Sequence, residues 1–306
     1  RFPGVLASTL AMATEDLRDA TAFVCRRAAE WGVDPQRILT SGSSAGAMTV
    51  LMAEYALCNG DSVFVRHLPE GFRYAGVIAY AGAVYDPSGE LRWTTPPAPL
   101  LLFHGDADRN VPYDTVPVPG GGVLFGSAAV ARDLAQRGVP YWFVSEAGAD
   151  HSMAWRPMRE HFAEIDAFLD RFVFGGERRR FETRIVPPDA PERSAAFAID
   201  DYLDANYGHY VPGTLIIKGL DALVAALIFR ALGRGKTAML VSGIVGETIM
   251  VLGYFAYASM ILGKGLAAAA SIPGNIVQGI AGIAIGLALA VLLQKAKAPA
   301  LSGLEL

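Results

Sequence analysis

The sequence predicts two joined parts: an α/β part built on a parallel sheet flanked by helices, then an all-α membrane domain of three transmembrane helices. Three observations carry this. Short apolar runs alternate with amphipathic helical stretches through residues 1–174, charges nearly vanish from about residue 211, and a charged, proline-bearing linker at 175–195 separates the two. The 306 residues suit roughly two domains, and the apolar excess, 52% hydrophobic overall, is not evenly spread along them. A net charge of −4 gives no reason to expect nucleic acid as a partner. Cys25 and Cys58 fit neither a metal-ligand spacing nor a disulfide framework; both are expected as reduced, buried thiols, and no metal or cofactor is expected. The chain opens on Arg1 without a signal-peptide pattern and reads as a fragment or processed piece.

Leu17, Ala20, Phe23, Val24 and Ala28 recur at helical spacing and predict a helix over 15–31, broken by Asp34-Pro35. A first strand is expected at 37–41, then a turn at Gly42-Ser43-Ser44-Ala45-Gly46, then a helix through 47–53. The apolar runs 74–80 and 99–103 read as strands buried in a parallel sheet. A helix at 127–137, a strand at 141–144 and a last amphipathic helix at 158–172 complete the alternation.

Gly42 to Gly46 fit G-x-S-x-G in a strand–turn–helix setting, the nucleophile elbow that forces a serine hydroxyl out above a sheet edge, its glycines leaving space where side chains collide. A serine needs a neighbouring imidazole to take its proton, and an aspartate to hold that imidazole's tautomer. Asp108 follows the run 99–103 and His151 follows the run 141–144, giving the order Ser44, Asp108, His151 on loops at strand ends. Asp106 competes with Asp108 for the acid's place, with turn formation as its other role. His104 is read as supporting its loop, His161 as a solvated surface residue, and Gly120-Gly121-Gly122 as a flexible loop.

Asp34-Pro35-x-Arg37-Ile38 leading into Gly-Ser-Ser-Ala-Gly, the stretch His104-Gly105-Asp106-Ala107-Asp108-x-x-Val111-Pro112, and Ala149-Asp150-His151 together make residues 1–174 resemble the C-terminal portion of a carboxylesterase/lipase-type α/β hydrolase. The resemblance implies a partial α/β-hydrolase fold and hydrolysis of a small-molecule carboxylic ester, with Ser44, His151 and Asp108 as the triad and the Ala45 N–H as an oxyanion donor. This sequence departs from the family in lacking a His-Gly-Gly-Gly-like loop upstream of Gly42, and one missing donor costs roughly 10²–10³ in rate. The early strands of the fold are also missing, so the first strand here is expected to expose an edge.

Three apolar segments, at about 211–232, 238–262 and 266–294, each reach the roughly 20 residues that cross a bilayer. Gly243, Gly246, Gly253, Gly279, Gly282 and Gly286 are expected to let helices approach closely. Arg230 closes the first segment with Arg234 and Lys236 after it, and Lys295 and Lys297 follow the third, while Asp200, Asp201 and Asp204 precede the first. The positive-inside rule then puts the start of the first segment outside and the C-terminus in the cytoplasm of a multi-pass cell-membrane protein.

Val211-Pro212-Gly213-Thr214 with Ile217-Lys218-Gly219, Gly253-Tyr254-Phe255-Ala256-Tyr257, and Ser271-Ile272-Pro273-Gly274-Asn275-Ile276-Val277-Gln278 make residues 196–297 resemble the last three helices of an energy-coupling factor transporter S component. That resemblance implies a vitamin-like ligand, energy-coupling subunits as partners, and Lys218, Glu247, Tyr254, Asn275 and Gln278 as candidates to line a pocket. The alternative is that Lys218 and Asp221 pair with each other, at i and i+3, and that Asn275 and Gln278 bond between helices.

The arginines of 175–195 prefer the cytoplasm, yet the first membrane segment starts outside, which leaves the side of the soluble half undecided. Three readings stay open: an ester hydrolase attached to the membrane, a vitamin-transporter subunit carrying an inert hydrolase fragment, and a chimera without function.

Overall fold

The computed structural model describes residues 2–188, 190, 197–198, 211–233 and 235–295. The chain divides into two compact units, Arg1–Tyr202 and Leu203–Leu306.

In the first unit, α1 (Phe2–Trp31) leads through a short turn to β1 (Leu39–Ser43), α2 (Ala45–Cys58), α3 (Ser62–Val65) and β2 (Gly76–Tyr80). Next come β3 (Ala83–Asp86), β4 (Leu100–Gly105), β5 (Thr115–Pro117), β6 (Val123–Gly126), α4 (Ser127–Arg137) and β7 (Tyr141–Glu146). After α5 (Pro157–Glu160) and α6 (Phe162–Phe168) comes β8 (Arg180–Ile185), the last strand among the described residues of this unit. Five strands form a parallel sheet in the order β1-β2-β4-β7-β8. β2 and β4 are buried along their whole length, as apolar runs covered on both faces must be. Leu100 to Phe103 are wholly excluded from solvent, and each such side chain contributes about 1.5–3 kcal/mol. β1 lies at the margin of the sheet.

Several elements depart from expectation. The first helix begins at Phe2, not at residue 15, and its buried stripe includes Thr14, Arg18 and Thr21, while Ala20 faces outward. Those polar residues are satisfied inside: Thr21 Oγ1 lies 2.9 Å from Tyr74 Oη, and Arg18 donates to the Val63 carbonyl at 2.8 Å. Periodicity of apolar residues could not reveal such a face. The helix expected at 158–172 is instead α5, α6 and a π-type turn over Leu169–Phe174, interrupted at His161 by φ −119°, ψ 36°. His161 is not solvated. Its side chain is 12% exposed, sits against the Phe103 ring and lies 3.2 Å from Glu164.

The stretch read as a linker contains β8, which pairs in parallel with β7. Its alternation of Arg180, Glu182 and Arg184 with Phe181, Thr183 and Ile185 suits an edge strand with one face inward. Gly120 to Gly122 are not a loose loop but the tight connection between β5 and β6 of a three-stranded antiparallel sheet, β3-β6-β5, closed by Val118 N–H to Gly122 O at 3.0 Å. Cys58 is buried and Cys25 only half-buried; both are free.

The second unit contains α7 (Val211–Ala231), α8 (Lys236–Ala256) continued by a π-type turn (Tyr257–Ile261), a 3-10 stretch (Gly265–Ser271) and α9 (Ile272–Lys295). Among the described residues two helices, not three, are long and apolar enough to cross a membrane: Lys236–Ile261 and Gly265–Ala288. The first segment carries Lys218, Asp221 and Arg230. Glycines do bring these helices together: a methyl at Gly253 would meet Ile217 at 3.0 Å, and one at Gly279 would meet Glu247 Oε2 at 2.7 Å. Gly286 borders open space instead. Leu215, Leu252, Met260, Leu266 and Ile285 are all more than half exposed, an outward apolar surface that suits lipid rather than water. Asp200, Asp201, Asp204, Arg234 and Lys297, used above for orientation, lie outside the described residues.

Candidate functional site

The elbow is built by a close approach. A methyl on Gly42 would lie 2.1 Å from the Gly46 carbonyl oxygen, so only glycine fits where β1 turns into α2. Gly46 is different: nothing lies within 4 Å of its Cβ position, so this glycine is not required for space. Ser44, at the N-cap of α2, adopts φ 54°, ψ −118°, a conformation that L residues rarely take. Its N–H donates to the Tyr80 carbonyl at 2.8 Å and its carbonyl accepts from Met48 N–H at 3.0 Å, which ties the turn to both β2 and α2. Ala45 opens α2 and is exposed; the first N–H groups of a helix have no intrahelical acceptor.

Ser44, Asp108 and His151 come together. His151 Nε2 lies 2.8 Å from Ser44 Oγ, and His151 Nδ1 lies 2.7 Å from Asp108 Oδ2. Ser44 follows β1, Asp108 follows β4 and His151 follows β7, so three parallel strands deliver the groups at one end of the sheet. The His151 side chain is 22% exposed while that of Asp108 is fully buried. Asp108 Oδ1 accepts from the backbone N–H groups of Asn110 and Val111 at 2.7 and 3.0 Å. Burial alone pushes the Asp108 carboxyl up, but hydrogen bonds from His104 and His151, with the Val111 N–H, outweigh it and hold the group well below the usual carboxylate range.

Sequence reasoning missed what laces the acid's loop to the histidine's loop. A methyl on Gly105 would lie 2.1 Å from the Ala149 carbonyl oxygen, and Ala107 N–H donates to that same oxygen at 3.0 Å. Asp106 Oδ1 accepts from Gly148 N–H at 2.7 Å, and its Oδ2 accepts from Arg184 of β8 at 2.9 Å. Asp106 therefore braces the loops and does not contact His151. Ser43 Oγ donates to the Ala154 carbonyl at 2.5 Å, pinning the turn after His151 to the elbow. His104, fully buried, contacts Ser127 Oγ, the Val111 carbonyl and Asp108. The partners at 148, 149, 154 and 184 are set by the fold, and no local signal in the sequence marks them.

In the second unit the five candidate pocket residues do not converge. Lys218 Nζ lies 3.5 Å from Asp221 Oδ2 within α7 and 2.9 Å from Met250 Sδ of α8, and Tyr254 Oη of α8 donates to Thr214 Oγ1 of α7 at 3.2 Å. Glu247 instead lines a cavity of about 340 Å³ between α8 and α9, with Ile244, Val251, Ile276, Gly279 and Ile283. Its Oε2 is buried without a hydrogen-bond partner among the described residues. Asn275 is half-buried and Gln278 exposed, and neither lines this cavity.

No curated protein and no solved structure matches the chain. Residues 196–295 match the family model of the ECF-type riboflavin transporter, S component, a range that covers less than half of the 306 residues and leaves the Ser44 assembly outside it.

Proposed function

We propose that the chain carries two separate activities, ester hydrolysis in the first unit and vitamin binding in the second. The hydrolase reading rests on one observation, the continuous hydrogen-bonded line from Ser44 Oγ through His151 to Asp108 with Ser44 at positive φ. In this reading the first unit is a partial α/β-hydrolase fold. His151 Nε2 takes the proton as Ser44 Oγ attacks an ester carbonyl, and Asp108 stabilises the imidazolium that forms. The Ala45 N–H receives the developing oxyanion. His151 then returns the proton to the leaving alcohol, and a water activated by the same nitrogen releases the acid from the acyl-enzyme. A fluorophosphonate probe tests this: labelling of the wild type and none of Ser44→Ala supports it, and an unlabelled wild type overturns it.

The second reading is favoured by the family match over 196–295. The second unit then serves as the membrane-embedded, substrate-binding part of a vitamin transporter, multi-pass with its C-terminus cytoplasmic, working with energy-coupling subunits. Riboflavin is the ligand to try first. Quenching of riboflavin fluorescence by the detergent-solubilised full chain supports it; no quenching at micromolar protein overturns it. If both tests fail, the chain is a chimera without either activity.

A further inference from the structure

His104 is wholly buried at the end of β4 and is not part of the line from Ser44 to Asp108. Its Nε2 lies 3.3 Å from the Val111 carbonyl oxygen and 3.3 Å from Asp108 Oδ2. Both neighbours are acceptors, since a carbonyl has no hydrogen to give and the Asp108 carboxyl is ionised, so Nε2 carries the hydrogen. With the hydrogen on Nε2, Nδ1 accepts from Ser127 Oγ at 2.8 Å, the single hydroxyl hydrogen serving this nearer neighbour and leaving the Gly82 carbonyl as a longer contact at 3.3 Å. The Tyr113 ring packs edge-on against the imidazole. The orientation of His104 is thereby fixed from three sides. The oxygen it addresses is the same Oδ2 that receives His151 Nδ1.

We propose that His104 is a positioning residue that sets the basicity of His151 by sharing Asp108 Oδ2 with it, an inference that rests on the hydrolase reading of the first unit. A carboxylate oxygen that accepts from two imidazoles gives each less than it gives one alone. Removing the His104 donor leaves Asp108 to concentrate its charge on His151, which stabilises the imidazolium and raises the pH at which His151 loses its proton. The titratable groups facing Asp108 are His104 and His151, with Asp150 close enough to feel its charge. His104 faces Asp108 and Tyr113, and His151 faces Asp108 and Ser44.

The test uses the full chain in detergent with two variants. His104→Phe keeps a ring but no donor, and His104→Gln keeps an amide N–H able to reach Asp108. The rate of p-nitrophenyl butyrate hydrolysis against pH gives the acid limb of kcat/KM, and carbon-13 labelling of the five histidines gives the His151 midpoint by NMR without any turnover. In His104→Phe both midpoints are expected to move up by about one pH unit, with His104→Gln restoring most of the shift. A folded His104→Phe with an unmoved His151 midpoint overturns the proposal, as does an equal shift in both variants. If His104→Phe does not fold, His104→Gln decides: a midpoint within a few tenths of a unit of the wild type supports the proposal, and a shift of about one unit overturns it. A wild type that hydrolyses no ester overturns the hydrolase reading alone, because the NMR midpoint still reports the coupling.

Discussion

Arg184 donates to Asp106 Oδ2 at 2.9 Å, so the outermost strand of the parallel sheet holds the loop that carries Asp108. Asp106 turns that hold towards His151, because its other oxygen accepts from the Gly148 N–H. The Arg184 side chain is 55% exposed and that of Asp106 12%. An ion pair with one partner in solvent is worth at most about 1 kcal/mol. Stranding the Gly148 N–H costs about 1–3 kcal/mol. Asp106→Ala should therefore destabilise the protein more than Arg184→Ala. Denaturant midpoints followed by tryptophan fluorescence check the order, and equal midpoints would show that Gly148 does not depend on Asp106.

In the proposed ester hydrolysis the three residues of the line from Ser44 to Asp108 act as one device. Ser44→Ala and His151→Gln should each lower kcat for p-nitrophenyl butyrate by about 10³–10⁶-fold. Asp108→Asn should cost about 10⁴-fold, because an amide holds the wrong tautomer. The double variant Ser44→Ala/His151→Gln should be hardly slower than either single one. Multiplying losses would mean that the two residues act independently.

Acid stability follows from Asp108. Its carboxyl is held below the ordinary range in the folded protein, so it contributes stability above the unfolded value, near 3.9, and that contribution drains away as pH falls through the folded value. Asp108→Asn should flatten the loss of stability below about pH 4. Urea titrations at pH 5 and pH 3 measure the difference.

Glu54 works in the opposite direction. Its wholly excluded carboxyl accepts from Ala98 N–H at 2.7 Å through Oε1, yet burial keeps its ionisation above the usual range, and its Oε2 has no partner among the described residues. The folded state then binds the proton more tightly than the unfolded chain, so stability declines as pH rises from the unfolded value towards the folded one. That loss above the unfolded value should shrink in Glu54→Gln, as urea midpoints across the rise show, and an unchanged loss would assign it elsewhere.

In the second unit, Gly253→Ala places a methyl 3.0 Å from the stiff, branched side chain of Ile217, whereas Gly286→Ala enters open space. Overpacking costs about 1–3 kcal/mol, while alanine gains about 1 kcal/mol over glycine in a helix. Heating in detergent with helical circular dichroism as the signal should rank Gly286→Ala at or above the wild type and Gly253→Ala below it.

Much of the first unit was legible because its chemistry is local. Short apolar runs at 74–80 and 99–103 marked strands buried on both faces, and the elbow glycines marked the turn that places Ser44. What escaped was governed by partners distant in the chain. β8 looks like a linker until β7 pairs with it, and the polar stripe of α1 looks exposed until Tyr74 and Val63 meet it. Asp106 reads as a turn residue because Gly148 and Arg184, 42 and 78 positions away, are invisible at the level of spacing. In the second unit length and apolarity located the helices, but which polar residue faces which neighbour depends on helix rotation, and of the five candidates that placed Glu247 on the cavity between α8 and α9.

Under the proposed hydrolase function, the backbone angle of Ser44 sets folding against reactivity. A non-glycine residue held at φ 54° costs about 1–3 kcal/mol, more than the roughly 0.5–1 kcal/mol of chain entropy that glycine forfeits. Ser44→Gly should unfold at a higher denaturant concentration than the parent and be inert to a fluorophosphonate. Robustness and nucleophilicity pull this one position in opposite directions, and the serine found there sits on the side of reactivity.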